Sequence, residues 1–218
     1  WGRTGPAPAR TGTVLAADGE RISVAYDAPA GEGDVVFVVA HGFTGGWRRP
    51  DNRAIALALR EHGGVVSYDS RGHGASSGVT TIGDREVLDL DAAVAYARWL
   101  GARLVVTVGF SMGGSVVLRQ AALAPTGAGP DAVVSVSAAG FWFYKGTPPM
   151  RLLHHAVGTR FGRSVLRTGF GTRVTDQEWQ EPYPLSPAES AAMIPPVPLL
   201  VVHGDRDTYF PLEHSRSI

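Results

Sequence analysis

The sequence has 218 residues, 44% hydrophobic and 18% charged, which suits one folded domain of the larger mixed type and excludes a disordered chain. Twenty basic residues balance 20 acidic ones, so no net field draws the chain to nucleic acid or to an anionic membrane, although local charge can still matter. The absence of cysteine excludes disulfides, thiolate metal sites and cysteine nucleophiles and leaves the compartment open, and no apolar run approaches the ~20 residues of a membrane span.

Residues 1–12, rich in Gly, Pro, Thr and Arg, read as a flexible lead-in, followed by a single domain over 13–218. Thr13–Ala17 and Arg21–Tyr26 read as strands joined at Asp18-Gly19, a hairpin signal. Asp34–Ala40 is a nearly unbroken apolar run, as expected of a strand covered by helices on both faces. Further strands are expected at Gly64–Tyr68, Arg103–Val108, Ala132–Ser137 and Pro198–His203. Helical spacing appears over Asn52–Glu61, Arg85–Leu100 and Met112–Ala124. Strand–helix alternation of this kind predicts an α/β fold with a doubly wound, mostly parallel sheet and a site at the C-terminal ends of its strands.

Gly109-Phe110-Ser111-Met112-Gly113 lies between a β-branched strand and a helix. The G-x-S-x-G spacing suits a sharp strand-to-helix turn, because glycines on either side of the serine let the two backbones approach closely. The serine hydroxyl then points into a cleft above a helix N-terminus, where backbone N–H groups favour negative charge. Three more segments stand at strand ends: His41-Gly42-Phe43-Thr44-Gly45, Asp69-Ser70-Arg71-Gly72-His73-Gly74-Ala75-Ser76, and His203-Gly204-Asp205-Arg206-Asp207-Thr208-Tyr209-Phe210-Pro211.

In these four segments the sequence resembles the α/β-hydrolase family of serine esterases, lipases and thioesterases, from about Thr13 to the last residue. The resemblance implies that Ser111 is a nucleophile attacking a carboxylic ester of a small acyl substrate, with no cofactor and no metal. It implies that the backbone amides of Phe43 and Met112 form the oxyanion hole, and that Asp207 is the acid of a Ser–Asp–His triad, with Asp205 in the same loop as its rival. In the family's chain order the histidine follows the acid, and His214 is the one histidine after Asp207. Seven positions do not hold the helix, strand and loop that the resemblance places between acid and histidine, so the histidine is expected beyond Ile218 and His214 on a helix away from Ser111. Recruitment of His214, and a non-catalytic binding protein on the same scaffold, are the alternatives. Thioesterase, lysophospholipase and cofactor-free haloperoxidase-like activities use the same nucleophile. His41, His73 and His203, at turns, are expected to serve as structural hydrogen-bonding groups, and Arg71 likewise.

Residues 141–196 interrupt the alternation and are expected to form a helical lid between the sixth and seventh strands. Trp142, Phe143 and Tyr144, in an aromatic cluster that begins at Phe141, are expected to line an acyl pocket. Met150, Leu153, Val157 and Phe161 recur at helical spacing. Lys145, Arg151, Arg160, Arg163, Arg167 and Arg173 precede the first acid of the segment, Asp176. A basic amphipathic stretch of this kind suits a solvated face, an anionic substrate or a lipid surface.

Overall fold

The computed structural model describes residues 10–31, 33–125 and 127–218. Strands β1 (Arg10–Leu15), β2 (Arg21–Asp27), β3 (Val35–Ala40), β4 (Gly64–Tyr68), β5 (Leu104–Phe110), β6 (Ala132–Val136) and β7 (Leu199–Val202) form one sheet in the order β1-β2-β4-β3-β5-β6-β7. β2 runs antiparallel to both β1 and β4, and the rest of the sheet is parallel. This is the α/β architecture expected from the sequence.

β1 begins at Arg10, inside the stretch 1–12 read as a lead-in, and residues 1–9 of that stretch lie outside the described residues. Its pairing with β2, from Arg10 opposite Tyr26 to Leu15 opposite Arg21, satisfies a backbone whose side chains are mostly exposed. Such an edge strand carries little hydrophobic signal.

The helices are α1 (Pro50–Leu59), α2 (Glu86–Trp99), α3 (Met112–Leu123), α4 (Pro148–Gly158), α5 (Arg160–Phe170), α6 (Pro187–Ala191) and α7 (Leu212–Arg216). The main core joins Val36, Val38 and Ala40 of β3 to Leu90, Ala93 and Val94 of α2 and to Val116 and Val117 of α3. Val39 and Val65, with Phe37, meet Ala56, Ile55 and Leu59 of α1 in a separate cluster. Alternate residues of one strand thus face opposite helix layers, which is why its sequence is apolar without a break. α1 starts at Pro50 rather than Asn52 because proline's fixed φ suits the first helical position.

The segment 141–196 carries α4, α5 and α6. The apolar spacing from Met150 to Phe161 does not belong to one helix. Thr159 takes an extended conformation, ends α4, and caps α5 by accepting a hydrogen bond from the Gly162 amide at 3.1 Å. Phe161 is consequently turned outward and is 81% exposed. α5 ends at Gly171 in the left-handed region, with the Thr172 amide donating to the Leu166 carbonyl at 3.0 Å.

The far end of this segment is tied to the body of the domain. Thr80 forms a parallel bridge with Val174, the Arg173 amide donates to the Gly72 carbonyl at 2.8 Å, and the Arg173 guanidinium donates to the carbonyls of Gly78 and Ser76. Arg173 is therefore a brace and not a free charge. Buried Arg119 of α3 donates to Gly83, Asp84 and Leu185 carbonyls, joining the loop before α2 to the approach to α6.

Candidate active site

Ser111 joins β5 to α3 with φ 53° and ψ −114°, a conformation that L-residues adopt only under constraint. The constraint is local packing. Cβ atoms placed on Gly109 or Gly113 would stand well inside 3.0 Å of backbone, those of Gly113 against Ala40 and His41. Strand and helix therefore touch backbone to backbone, and the Ser111 amide donates to the Val136 carbonyl of β6 at 2.9 Å. Gly113→Ala is expected to destabilise the fold by about 3 kcal/mol or more, the upper end for overpacking, because no flexible side chain can yield there. Urea unfolding with a midpoint near that of wild type would refute this packing account.

The loop after β3 stands over the serine. A Cβ on Gly42 would lie 3.3 Å from Ser111 Cβ and 3.9 Å from its Oγ. Two buried imidazoles hold this loop against the turn after β4. His41 donates through Nδ1 to the Gly42 carbonyl at 2.7 Å, while its Nε2 accepts from the Ser70 amide at 3.0 Å. His73 donates through Nδ1 to the Arg71 carbonyl and accepts at Nε2 from the Thr44 amide at 3.2 Å. An amide donor at Nε2 requires that nitrogen to be unprotonated, so both rings are neutral. Burial pushes both down to about 4.

The turn after β4 is an electrostatic knot. Arg71 donates to Asp89 at 2.9 and 2.7 Å and to Asp18 at 2.7 and 3.1 Å, and its own amide bonds Asp89 at 2.7 Å. Asp69 accepts from the amides of Trp47 at 2.8 Å and Ala75 at 3.0 Å. Buried Glu86 accepts from Thr80, Thr81 and Gly83 and thereby fixes the loop carrying Ile82, itself at φ 59°.

A cavity of about 620 Å³ opens above Ser111. Phe43, Met112, Trp142, Phe143 and Tyr144 all line it, so the structure brings these expected residues together with the serine. It adds Trp179 and Tyr183, whose rings meet Phe143 edge-on at centroid distances of 5.6 and 5.2 Å. Met150, Leu153 and Val157 contribute the inner face of α4. Ile82, Ser111 and Phe143 are three of the five described non-glycine residues with positive φ, and all three face this cavity. Strain gathered in one place marks a functional site. The cavity residues missed from the sequence, Thr81, Ile82, Trp179 and Tyr183, come from loops whose proximity no local pattern announces.

Asp207 sits apart, in the loop after β7. Its Oδ1 accepts from the Tyr209 and Phe210 amides at 2.8 and 3.0 Å, and its Oδ2 lies 3.8 Å from His203 Nε2. His203 Nε2 bonds the Phe210 carbonyl at 2.8 Å. Asp205 is exposed. His214 lies on α7, as expected, where its Nδ1 accepts from the Gly140 amide at 3.0 Å within a ring of Phe141, Tyr144 and Phe210. Burial, then the neighbouring His203, holds its pKa below the usual histidine value. Among the described residues no hydrogen bond reaches the Ser111 hydroxyl, and no group of three or more His, Cys, Asp or Glu stands close enough to hold a metal.

The sequence pattern described as "Alpha/beta hydrolase family" matches residues 35–217. The chain belongs to the alpha/beta hydrolase family. Solved members share its fold. An esterase of Pyrococcus furiosus superposes with a TM-score of 0.72 at 21% identity, over 95% of this chain and 75% of that one. A Butyrivibrio proteoclasticus protein with ferulic acid bound gives 0.60 at 22% identity, over 94% and 84%. An α/β serine hydrolase without a lid from Xanthomonas campestris gives 0.55 at 27% identity, over 66% and 67%. No curated protein matches the sequence. Family membership makes the chain a hydrolase of the α/β type, and the solved neighbours share its fold. Among the described residues no helix is long and apolar enough to cross a membrane.

Proposed function

We propose that the protein cleaves carboxylic esters through an acyl–Ser111 intermediate. The observation that carries this reading is the constrained Ser111, half-buried at the head of α3 and facing a large aromatic cavity. Attack by Oγ on the ester carbonyl gives a tetrahedral oxyanion. The Met112 amide, at the first position of α3, and the Phe43 amide, in the loop above the serine, are the donors for that charge on this reading. Collapse expels the alcohol, and water then releases the acid.

Asp207 is the triad acid on this reading, holding a histidine that takes the Ser111 proton. His41, His73, His203 and His214 are each bonded to backbone, so none is free for that task as it stands. The reading places the base after Asp207 in chain order. The segment 141–196 acts as the lid, and Trp142, Phe143 and Tyr144 hold the apolar part of the substrate. Trp142 also donates from Nε1 to the Pro184 carbonyl at 2.9 Å, which makes it a poor reporter of substrate contact alone. Phe143, 55% exposed at the cavity, is a better one. Phe143→Ala is expected to change relative kcat/KM across an acyl chain-length series by about 1–3 kcal/mol. An unchanged profile would confine the ring to packing against Trp179 and Tyr183.

The deciding experiment is labelling with a serine-directed fluorophosphonate, followed by peptide mapping and a panel of esters and thioesters. The expected adduct is on Ser111, with turnover of esters. Absence of labelling together with tight binding of an apolar ligand would favour a binding protein on this scaffold. A preference for thioesters would make the protein a thioesterase acting through the same serine.

A further inference from the structure

The inner and outer faces of α4 and α5 differ in kind. Met150, Leu153, His154 and Val157 of α4 face the Ser111 cavity, whereas Leu152, one position away from Leu153, is 69% exposed. On α5, Gly162 and Leu166 are buried, while Phe161 is 81% and Val165 43% exposed. Phe161 and Val165 are four residues apart and share one face of the helix. Arg160 and Arg167, both exposed, border that face.

Along the segment that carries these side chains the charge is of one sign. From Ala132 to Thr175 the sequence has six basic residues and no acid. Arg151, Arg163 and Arg173 donate to backbone carbonyls. Arg160 and Arg167 have no acidic partner among the described residues. The whole chain is neutral, so this outer face is a local positive surface with apolar points standing out of it.

We infer that the outer faces of α4 and α5 dock on an anionic lipid surface, with Phe161, Val165 and Leu152 entering the headgroup boundary and Arg160 and Arg167 meeting lipid phosphates. A basic amphipathic helix with a bulky aromatic on its apolar face suits the plane of such an interface. A bilayer needs no shape complementarity from isolated apolar side chains on two helices, whereas a protein partner would need pockets to match them. The attachment also sets the cavity's α4 wall next to the membrane, where apolar esters collect.

The test is co-sedimentation of the protein with phosphatidylcholine vesicles, with and without about one third phosphatidylserine, at low and high salt. Binding is expected to the phosphatidylserine vesicles alone and to weaken with salt. The double variant Phe161→Asp/Val165→Asp is expected to lose binding at least about tenfold. Arg160→Ser/Arg167→Ser is expected to lose about fivefold per arginine at low salt. None of the four lines the cavity, so hydrolysis of a short soluble ester and the Tm should stay as in wild type. No sedimentation with either vesicle, or full binding by the aspartate variant, would overturn the inference. So would a dimer in analytical ultracentrifugation that Phe161→Asp dissociates, since the face would then belong to a second copy. Vesicle binding is read without turnover, so its failure is separate from failure of the esterase reading.

Discussion

Ser111→Ala is expected to lower kcat/KM for ester hydrolysis by roughly 10⁴–10⁶-fold, the scale on which serine hydrolases lose rate when the nucleophile is removed. It should also abolish fluorophosphonate labelling, with the unfolding free energy nearly unchanged. The hydroxyl has no hydrogen-bond partner among the described residues, so its loss leaves no buried group unpaired. Ser111→Gly should lose activity equally but stabilise the fold relative to Ser111→Ala. Relief of φ 53° is worth about 1–3 kcal/mol, and the extra chain entropy of glycine costs about 0.5–1 kcal/mol, leaving a net gain of about 1 kcal/mol. Urea unfolding of the two variants reads that difference directly. If Ser111→Gly is the less stable, the elbow is not strained. If Ser111→Ala retains turnover, the nucleophile is elsewhere.

What the sequence makes legible here follows from how local each cause is. The elbow is written in five consecutive residues, because Gly109 and Gly113 answer a backbone contact within the same turn. The parallel strands are legible because burial on both faces leaves Val35–Ala40 and Leu104–Phe110 without polar alternation. β1 begins earlier than expected because its side chains point to solvent and only its backbone is engaged. The break between α4 and α5 is hidden for a different reason. Val157 and Phe161 keep helical spacing across Thr159, yet a change in that one residue's backbone sends them to opposite surroundings, cavity and solvent. The cavity's outer aromatics, Trp179 and Tyr183, gather around Phe143 through contacts over some 40 residues of sequence, beyond the reach of periodicity. His41 and His73 were legible as structural groups, and their pairing across the two loops gives them a further consequence.

Acid should destabilise the fold through these two rings. Burial pushes each ring's folded-state pKa down to about 4, from the usual histidine value of about 6.5. Above pH 6.5 neither state binds a proton at these sites, and the stability they support is fully present. As pH falls below 6.5 the unfolded chain takes up protons that the folded chain refuses, so stability is lost progressively until pH reaches about 4. A shift of this size corresponds to about 3 kcal/mol per histidine. The buried carboxyls of Asp69, Asp89 and Asp91, all pushed up by burial, work in the opposite sense over part of the same range. The informative quantity is therefore the difference between wild type and His73→Gln. Glutamine can accept from the Thr44 amide and donate to the Arg71 carbonyl without titrating. The unfolding free energy of wild type should fall more steeply with decreasing pH than that of His73→Gln, by about 1.4 kcal/mol per pH unit between 6.5 and 4, the slope of one proton. Protonation puts an N–H against the Thr44 amide, next to Phe43, so ester turnover should fail as this loop detaches and recover on return to neutral pH. Parallel stability curves for the two proteins would show that His73 titrates alike in both states, and the ring would then not be what holds the loop over Ser111.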